Sequence, residues 1–415
     1  MNQKDELTGR TRFQHLFSIP VIVAALGYFV DIYDLLLFGI VRIPSLKALG
    51  LSEAGISDVG ASIIGWQMTG LLIGGILWGV LGDKKGRLSV LFGSIVTYSV
   101  ANIACGFVQD PNVYKVLRFV AGVGLAGELG AGITLVSEIL PKQLRAIGTS
   151  IVACVGLLGA VVAYFTVELF DWRNAYFIGG GMGILLLLLR VRVFESGVFK
   201  DIQSQKHISK GNFFSLFTNK ERFVKYLKCI GIGVPTWFVI GILATFSNEF
   251  GVALGVAETI QPGLSIMWCY VGLSIGDLAS GFISHQLHSR KKAVLYMMLF
   301  TAFLTVIFLF VKINTAFHFY TILVLLGFGI GYWAMFVTIG AEQFGTNLRA
   351  TAATTIPNMV RGTVVLMTAG YVFFKQHFSV IEAGSMIGLL CFAIGIYSIV
   401  SISETHDRDL NFLEE

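Results

Sequence analysis

Residues 293–311, Ala293 to Val311, contain no Asp, Glu, Lys or Arg. A helix of that length matches the hydrocarbon core of a bilayer, about 30 Å thick. A stretch so free of charge has nowhere comfortable to sit in water, and its neighbours repeat the pattern. Apolar runs fall at 19–41, 59–81, 89–108, 115–137, 147–169, 174–192, 226–248, 264–287, 293–311, 317–340, 352–374 and 381–402. These are twelve predicted spans. Charged residues make up only 13% of the chain, against about 25% in an ordinary soluble domain. The prediction is an all-α membrane protein whose outer surface is lipid. The glycine-rich stretch from Gly179 to Gly183 is expected to stay helical, because opening the backbone in hydrocarbon leaves polar groups without partners.

The first run carries Asp31, Asp34 and Arg42 and is too long for a signal peptide, so it is read as span one. An even number of spans puts both termini on one side. Of the 30 Lys and Arg, 22 fall in the tails and in the loops on that side, nine of them at 190–228. Positive charge accumulates on the cytoplasmic side, which predicts cytoplasmic termini in a plasma or bacterial inner membrane. The net charge of +5 therefore reports topology, and no basic run interleaved with aromatics suggests nucleic acid. The five scattered cysteines and seven histidines form no metal-binding spacing, and no Gly-Lys-Ser/Thr phosphate loop suggests ATP drive.

The polar stretch 193–225 divides the chain into a bundle at 1–192 and a second bundle, with a short tail, at 226–415. The halves repeat. Glu138, Arg145 and Ala146 after span four recur as Glu342, Arg349 and Ala350 after span ten, at an offset of 204 residues (138 to 342). The loop from Gly79 to Arg87 has a weaker echo at Gly281 to Lys292. Two six-helix halves related by repetition are a transporter architecture, with solute held near the midplane between them.

Gly79, Asp83, Lys84, Gly86 and Arg87 resemble the signature loop between the second and third helices of major facilitator transporters. In the second half the Asp position is His285 and the inner Gly is His288, so that copy is degenerate. Arg118-Phe-Val-Ala-Gly122-Val-Gly124 resembles a helix of proton-coupled symporters. Glu195-Ser196-Gly197 is similar to an element of sugar porters, with Gly197 where they have proline. Gly27 to Leu35, with Asp31, Tyr33 and Asp34, is similar to span one of metabolite/proton and aromatic-acid symporters. The resemblance implies the major facilitator fold, two pseudo-symmetric six-helix bundles, and a gating role for Gly79 to Arg87 with Glu138, Arg145, Glu342 and Arg349. It also implies that Asp34 pairs with Arg118.

Asp31 and Asp34 stand three residues apart on one helical face in mid-span. A carboxylate there must face a cavity, pair with a cation or take up a proton. The two are read as proton-coupling residues with Arg118; the alternatives are a purely structural pairing, and an Arg118 that snorkels to the interface. Glu128, Asp277 and Arg361 also lie inside spans and have no charged counterpart in the repeat. They are therefore candidates for solute contact, unless Arg361 and Asp277 simply pair with each other. Arg361 offers a fork suited to a carboxylate or phosphate, and Asn358 precedes it by one turn. Tyr28, Trp66, Gln67, Trp237, Asn248, Trp268, Tyr332 and Trp333 complete the predicted lining.

The expected function is proton-coupled uptake, by alternating access, of a small polar organic solute such as an amino acid or organic acid. No cofactor is expected beyond the coupling proton, and no partners beyond solute, protons and lipid, the chain acting as a monomer. An exporter of a drug, siderophore or metabolite is the main rival. An intramembrane enzyme using Asp31 and Asp34, or a solute sensor, is the remote one.

Overall fold

A computed structural model describes residues 16–85, 87–128, 136, 140, 144–195, 213, 215–345 and 348–406. Spans one to six are the helices Ile19–Ala48, Glu53–Lys85, Arg87–Gly106, Pro111–Leu125, Arg145–Leu169 and Trp172–Glu195. A short helix, Ser215–Thr218, precedes span seven. Span seven is built in three pieces: Lys220–Phe238, a π-helical turn Val239–Ala244, and Ser247–Ala253. Span eight is Pro262–Leu287 and span nine Arg290–Phe310. Span ten divides into Ala316–Gly329 and Trp333–Glu342, and span eleven into Arg349–Gly362 and Val364–Lys375. Span twelve is Val380–Ser401. Nine helices among the described residues are long and apolar enough to cross a bilayer. The descriptions of spans three, four and eleven are shorter or divided, and each predicted run is mainly helical where it is described, with short non-helical breaks such as 330–332 in span ten.

Local chemistry sets the ends. Span four starts at Pro111, earlier than its apolar run, because the Asp110 carboxylate accepts from the Asn112 and Val113 N–H groups at 2.8 and 3.1 Å. Pro111 loses nothing in a first turn that has no N–H partner to lose. Span twelve starts with a capping box between Ser379 and Glu382. His288, at φ 48°, turns the chain left-handed to end span eight. Span six runs unbroken through Gly179 to Gly183, as expected.

Span nine shows what surrounds the molecule. Leu299, Phe303, Val306 and Phe310 are exposed along one face, while Met298, Thr301, Leu304 and Phe308 are buried along the other. A helix that is apolar on both faces belongs in lipid.

The repeat is also visible in packing. A Cβ on Gly70, Gly74 or Gly122 would strike the backbone at Phe119, Val123 or Gln67, so spans two and four lie backbone to backbone. Spans eight and ten repeat the contact: Gly272, Gly276 and Gly327 lie against Val324, Phe328 and Cys269. The offsets are 202 residues along one helix (70 to 272) and 205 along the other (122 to 327). Small residues create such close approaches in membranes. Spans one with five and three with six have their counterparts in seven with eleven and nine with twelve. Between the halves, span two packs on span eleven, and span eight on spans one and five. Gly276→Val should force these helices apart and cost at least the ~1–3 kcal/mol typical of overpacking. The check is a lower melting temperature in fluorescence-detected size-exclusion chromatography.

Candidate functional site

Asp31 of span one and Arg361 of span eleven meet across the halves, 330 residues apart in sequence, with Nη2 to Oδ2 at 3.5 Å. Both are fully buried. The contact uses little of what they offer, since Asp31 Oδ1 and Arg361 Nε and Nη1 have no hydrogen-bond partner among the described residues. The Arg361 guanidinium lies 5.9 Å from the centre of the Trp237 ring, which packs edge-on against Trp333. Trp237 Nε1 is also buried without a partner. Tyr28 is buried on the same helix as Asp31, three residues before it. Asn358, one turn before Arg361, donates to the Ala126 carbonyl at 2.9 Å in the other half, while its Oδ1 has no partner among the described residues. The centre of the molecule therefore holds cation, anion and indole N–H groups with unused capacity in a setting that penalises unused capacity.

The pairing of Arg361 with Asp277 does not occur. Asp277 Oδ1 instead accepts from the Ala334 N–H at 3.0 Å, at the start of the second piece of span ten. That helix has no side-chain cap of its own, and Gly331 presses on the Gly276 and Asp277 backbone beside it. The broken span creates N–H groups that a neighbouring carboxylate satisfies. Tyr332, in the break, donates to the Ile232 carbonyl at 3.3 Å.

The expected contact between Arg118 and the Asp34 carboxylate is also replaced. Arg118 donates to the Asp34 backbone carbonyl at 2.9 Å, to Asn102 Oδ1 at 2.7 Å and to Gln67 Oε1 at 3.3 Å. Gln67 in turn donates to the Leu35 carbonyl at 2.9 Å, so it braces the first half. The Asp34 carboxylate is fully buried, faces Gly179 of span six, and has no hydrogen-bond partner on either oxygen among the described residues. Asp31 and Asp34 thus share a helix but point toward different neighbours.

Glu128 is not left open to a solute. It forms a two-point ion pair with Arg190 of span six, one contact being 3.0 Å, packed against Gly27. The sequence count includes Arg190 with the loop cations at 190–228; its burial places it inside the bundle. Trp268 and Trp66, expected in the lining, are 38% and 46% exposed, and Trp268 shares an outward stripe with Ile275 and Phe282. The helix phase turns them toward lipid.

A second cross-half network lies at the Gly50 end of the bundle. Glu249 accepts from Lys375 at 2.9 Å, Tyr371 at 2.9 Å and Ser57 at 2.6 Å, and Lys375 also reaches Ser57 at 2.6 Å. Arg42 of span one donates to Asn248 and the Thr245 carbonyl, both at 3.0 Å, over the Phe246 ring. Arg42, Ser57, Asn248, Glu249 and Lys375 border a 770 Å³ cavity. Sequence reading named Asn248 but missed Ser57, Glu249 and Lys375, which look like ordinary loop-end polar residues; only Arg42, inside a span, carried a signal. At the opposite, Asp83 end, Glu342 pairs with Arg290, tying the two repeated loops of the second half together. Arg349, half-buried, begins span eleven. In the first copy Gly86 and Glu138 lie outside the described residues, as do the side chains of Asp83, Lys84, Arg87 and Arg145.

Lipid-facing helices, a repeated six-span plan and a charged centre between the halves define a multi-pass carrier. The chain belongs to the Major Facilitator Superfamily, whose family model matches residues 24–363. It is therefore a transporter and not an enzyme. Among its relatives, the sialic acid transporter NanX of Escherichia coli strain K12 is 26% identical over 223 residues, 52% of this chain and 53% of that transporter. The match therefore spans about half the length of NanX. A probable 4-methylmuconolactone transporter of Cupriavidus pinatubonensis is 23% identical over 346 residues, 79% of this chain and 77% of that one. The gentisate transporter of Corynebacterium glutamicum is 25% identical, covering 78% of this chain and 73% of its own length.

Proposed function

We propose that this chain is a monomeric proton-coupled symporter that brings a small organic acid into the cell across the plasma or bacterial inner membrane, both termini being cytoplasmic. The observation that carries the reading is Arg361: a buried guanidinium at the junction of the halves with two N–H-bearing nitrogens unused and only a 3.5 Å contact to Asp31. A planar fork of this kind matches a carboxylate, and Trp237 beside it offers an aromatic face and an N–H. Two of its relatives are named as transporters of acids, sialic acid and gentisate.

In this mechanism the solute carboxylate takes Arg361 from Asp31. The released Asp31 is then an unpaired buried anion, and a proton neutralises it, directly or by way of Asp34 one turn along the same helix. Neutral Asp31 and a solute-bound Arg361 no longer hold each other across the halves. Rocking of residues 1–192 against 226–402 then exposes the site to the other side. The loop from Gly79 to Arg87, with Glu138, Arg145, Glu342 and Arg349, gates the cytoplasmic side.

The test is uptake into proteoliposomes of known orientation, with a pH gradient, over a panel of aromatic and sugar acids and their uncharged amides. Acids should accumulate when the proton gradient points inward, and the amides should not. Equal accumulation of acid and amide would remove Arg361 from solute recognition. Accumulation that follows sodium instead would remove proton coupling.

A further inference from the structure

Like Arg361, Arg42 is a buried guanidinium at the junction of the halves with unused donor capacity. Arg190 and Arg361 each have a carboxylate partner, and Arg118 bonds through all three of its nitrogens. Arg42 forms no ion pair among the described residues. Its Nη2 reaches two neutral acceptors, the Thr245 carbonyl and Asn248 Oδ1, and its Nε has no hydrogen-bond partner. Gly60 of span two makes room for the Arg42 stem, since a Cβ there would lie 2.7 Å from Arg42 Cδ. A buried cation without a counter-charge is costly, and one held inside a span marks a place where an anion can bind.

Arg42 borders the 770 Å³ cavity at the Gly50 end. Small-molecule sites usually measure about 300–1,000 Å³, with mostly apolar walls and a few polar groups. Ile43, Ile56, Val252 and Val256 supply the apolar walls here. The other charges that border the cavity are Glu53, Glu249, Glu258 and Lys375. Glu249 and Lys375 pair with each other. Glu258 is exposed and accepts from the Ala316 N–H at 2.9 Å, and Glu53 is exposed in the first turn of span two. Water and salt screen those two exposed carboxylates far more than they screen the buried guanidinium.

We propose that the Arg42 cavity is an outer binding site for the carboxylate of the transported acid, occupied before the solute reaches Arg361. The proposal rests on the reading of the solute as an organic acid. Arg42 follows Asp31 by 11 residues on one helix (31 to 42), about 16 Å along its axis. The two arginines therefore stand at successive depths on the way in. A carboxylate at Arg42 competes with Asn248 and Thr245 for the guanidinium. Thr245 closes the π-helical turn of span seven. An acid that takes Arg42 from it loosens the hold of the first half on that broken span, and an uncharged amide does not.

The experiment places one thiol on the cavity wall by Ala253→Cys, and one at an exposed position outside the cavity at the same end by Asn112→Cys. The full chain is held in nanodiscs, which leave both faces open. Each thiol is modified with 2-carboxyethyl methanethiosulfonate and with the uncharged hydroxyethyl reagent, and the chain with its native cysteines alone gives the background. The ratio of charged to uncharged rates should be several-fold higher at position 253 than at position 112. Benzoate should slow the charged reagent at 253, and benzamide should not. Arg42→Gln should bring the ratio at 253 down to that at 112. Equal ratios at the two positions, or equal slowing by benzoate and benzamide, overturn the site, and both are read with Arg42 intact even if Arg42→Gln fails to fold. An excess that survives Arg42→Gln overturns Arg42 as its cause. Acids and amides that accumulate alike in the uptake panel remove the solute from both arginines, whereas acid-selective uptake with no excess at 253 removes the outer site alone.

Discussion

Asp34→Asn is expected to stop proton-driven accumulation while leaving solute exchange running. Among the described residues the buried Asp34 carboxylate has no hydrogen-bond partner on either oxygen, and the nearby Arg118 spends its donors on a backbone carbonyl, Asn102 and Gln67. An ionised group in that position is costly, and a proton removes the cost. Asparagine imitates the protonated state permanently. Counterflow, which needs no proton release, should survive in proteoliposomes, whereas uphill uptake should collapse to equilibration. Arg118 bonds the Asp34 backbone, so Arg118→Ala should disturb the fold of span one and lower the melting temperature along with transport. Normal gradient-driven accumulation by Asp34→Asn would leave Asp34 a structural residue.

Arg361→Ala is expected to abolish measurable solute binding. It removes the fork that would hold the solute carboxylate, and truncating one partner of a buried charge pair typically costs ~3–5 kcal/mol, or about 10²–10⁴ in affinity. Arg361→Lys keeps the charge and the cation near Trp237 but loses the planar pair of donors, so it should recover stability without recovering affinity. Asp31→Asn sorts the two roles. It frees Arg361 from its partner, so a solute carboxylate should bind at least as tightly while coupling falls. Calorimetric binding beside proton-driven uptake, for all three variants, provides the check. Full affinity in Arg361→Lys would show that charge alone is recognised.

Much of the architecture was legible because hydrocarbon imposes local rules. A backbone that has no water to bond must bond within its own helix, so an apolar run of sufficient length announces a span wherever it occurs. Gly179 to Gly183 stayed helical for that reason. The caps that moved the start of span four were legible too, in the Asp110-Pro111 pair, but hydropathy alone placed that start too late. The breaks in spans seven and ten were hidden, since their composition is as apolar as that of the unbroken helices around them.

The charged residues divide along the same line. Sequence by itself identified Asp31, Asp34, Arg118, Glu128, Asp277 and Arg361 as too costly to be idle, because burial of charge is a property of each position. It left most of their partners open. Asp31 meets Arg361, Glu128 meets Arg190, and Asp277 caps a helix start that exists only because span ten is broken. Partner choice depends on how far each helix is rotated and how closely it approaches its neighbour. The glycine contacts of spans two with four and eight with ten help set those distances, and helix phase turns Trp268 outward. Sequence alone thus determined the helical spans, the repeat and the list of charges held in lipid, since each follows from the local demand to satisfy a backbone or a charge. Only the tertiary structure decided which charges pair, which atoms remain unused and where the two halves are joined, because those depend on distances between helices far apart in the chain.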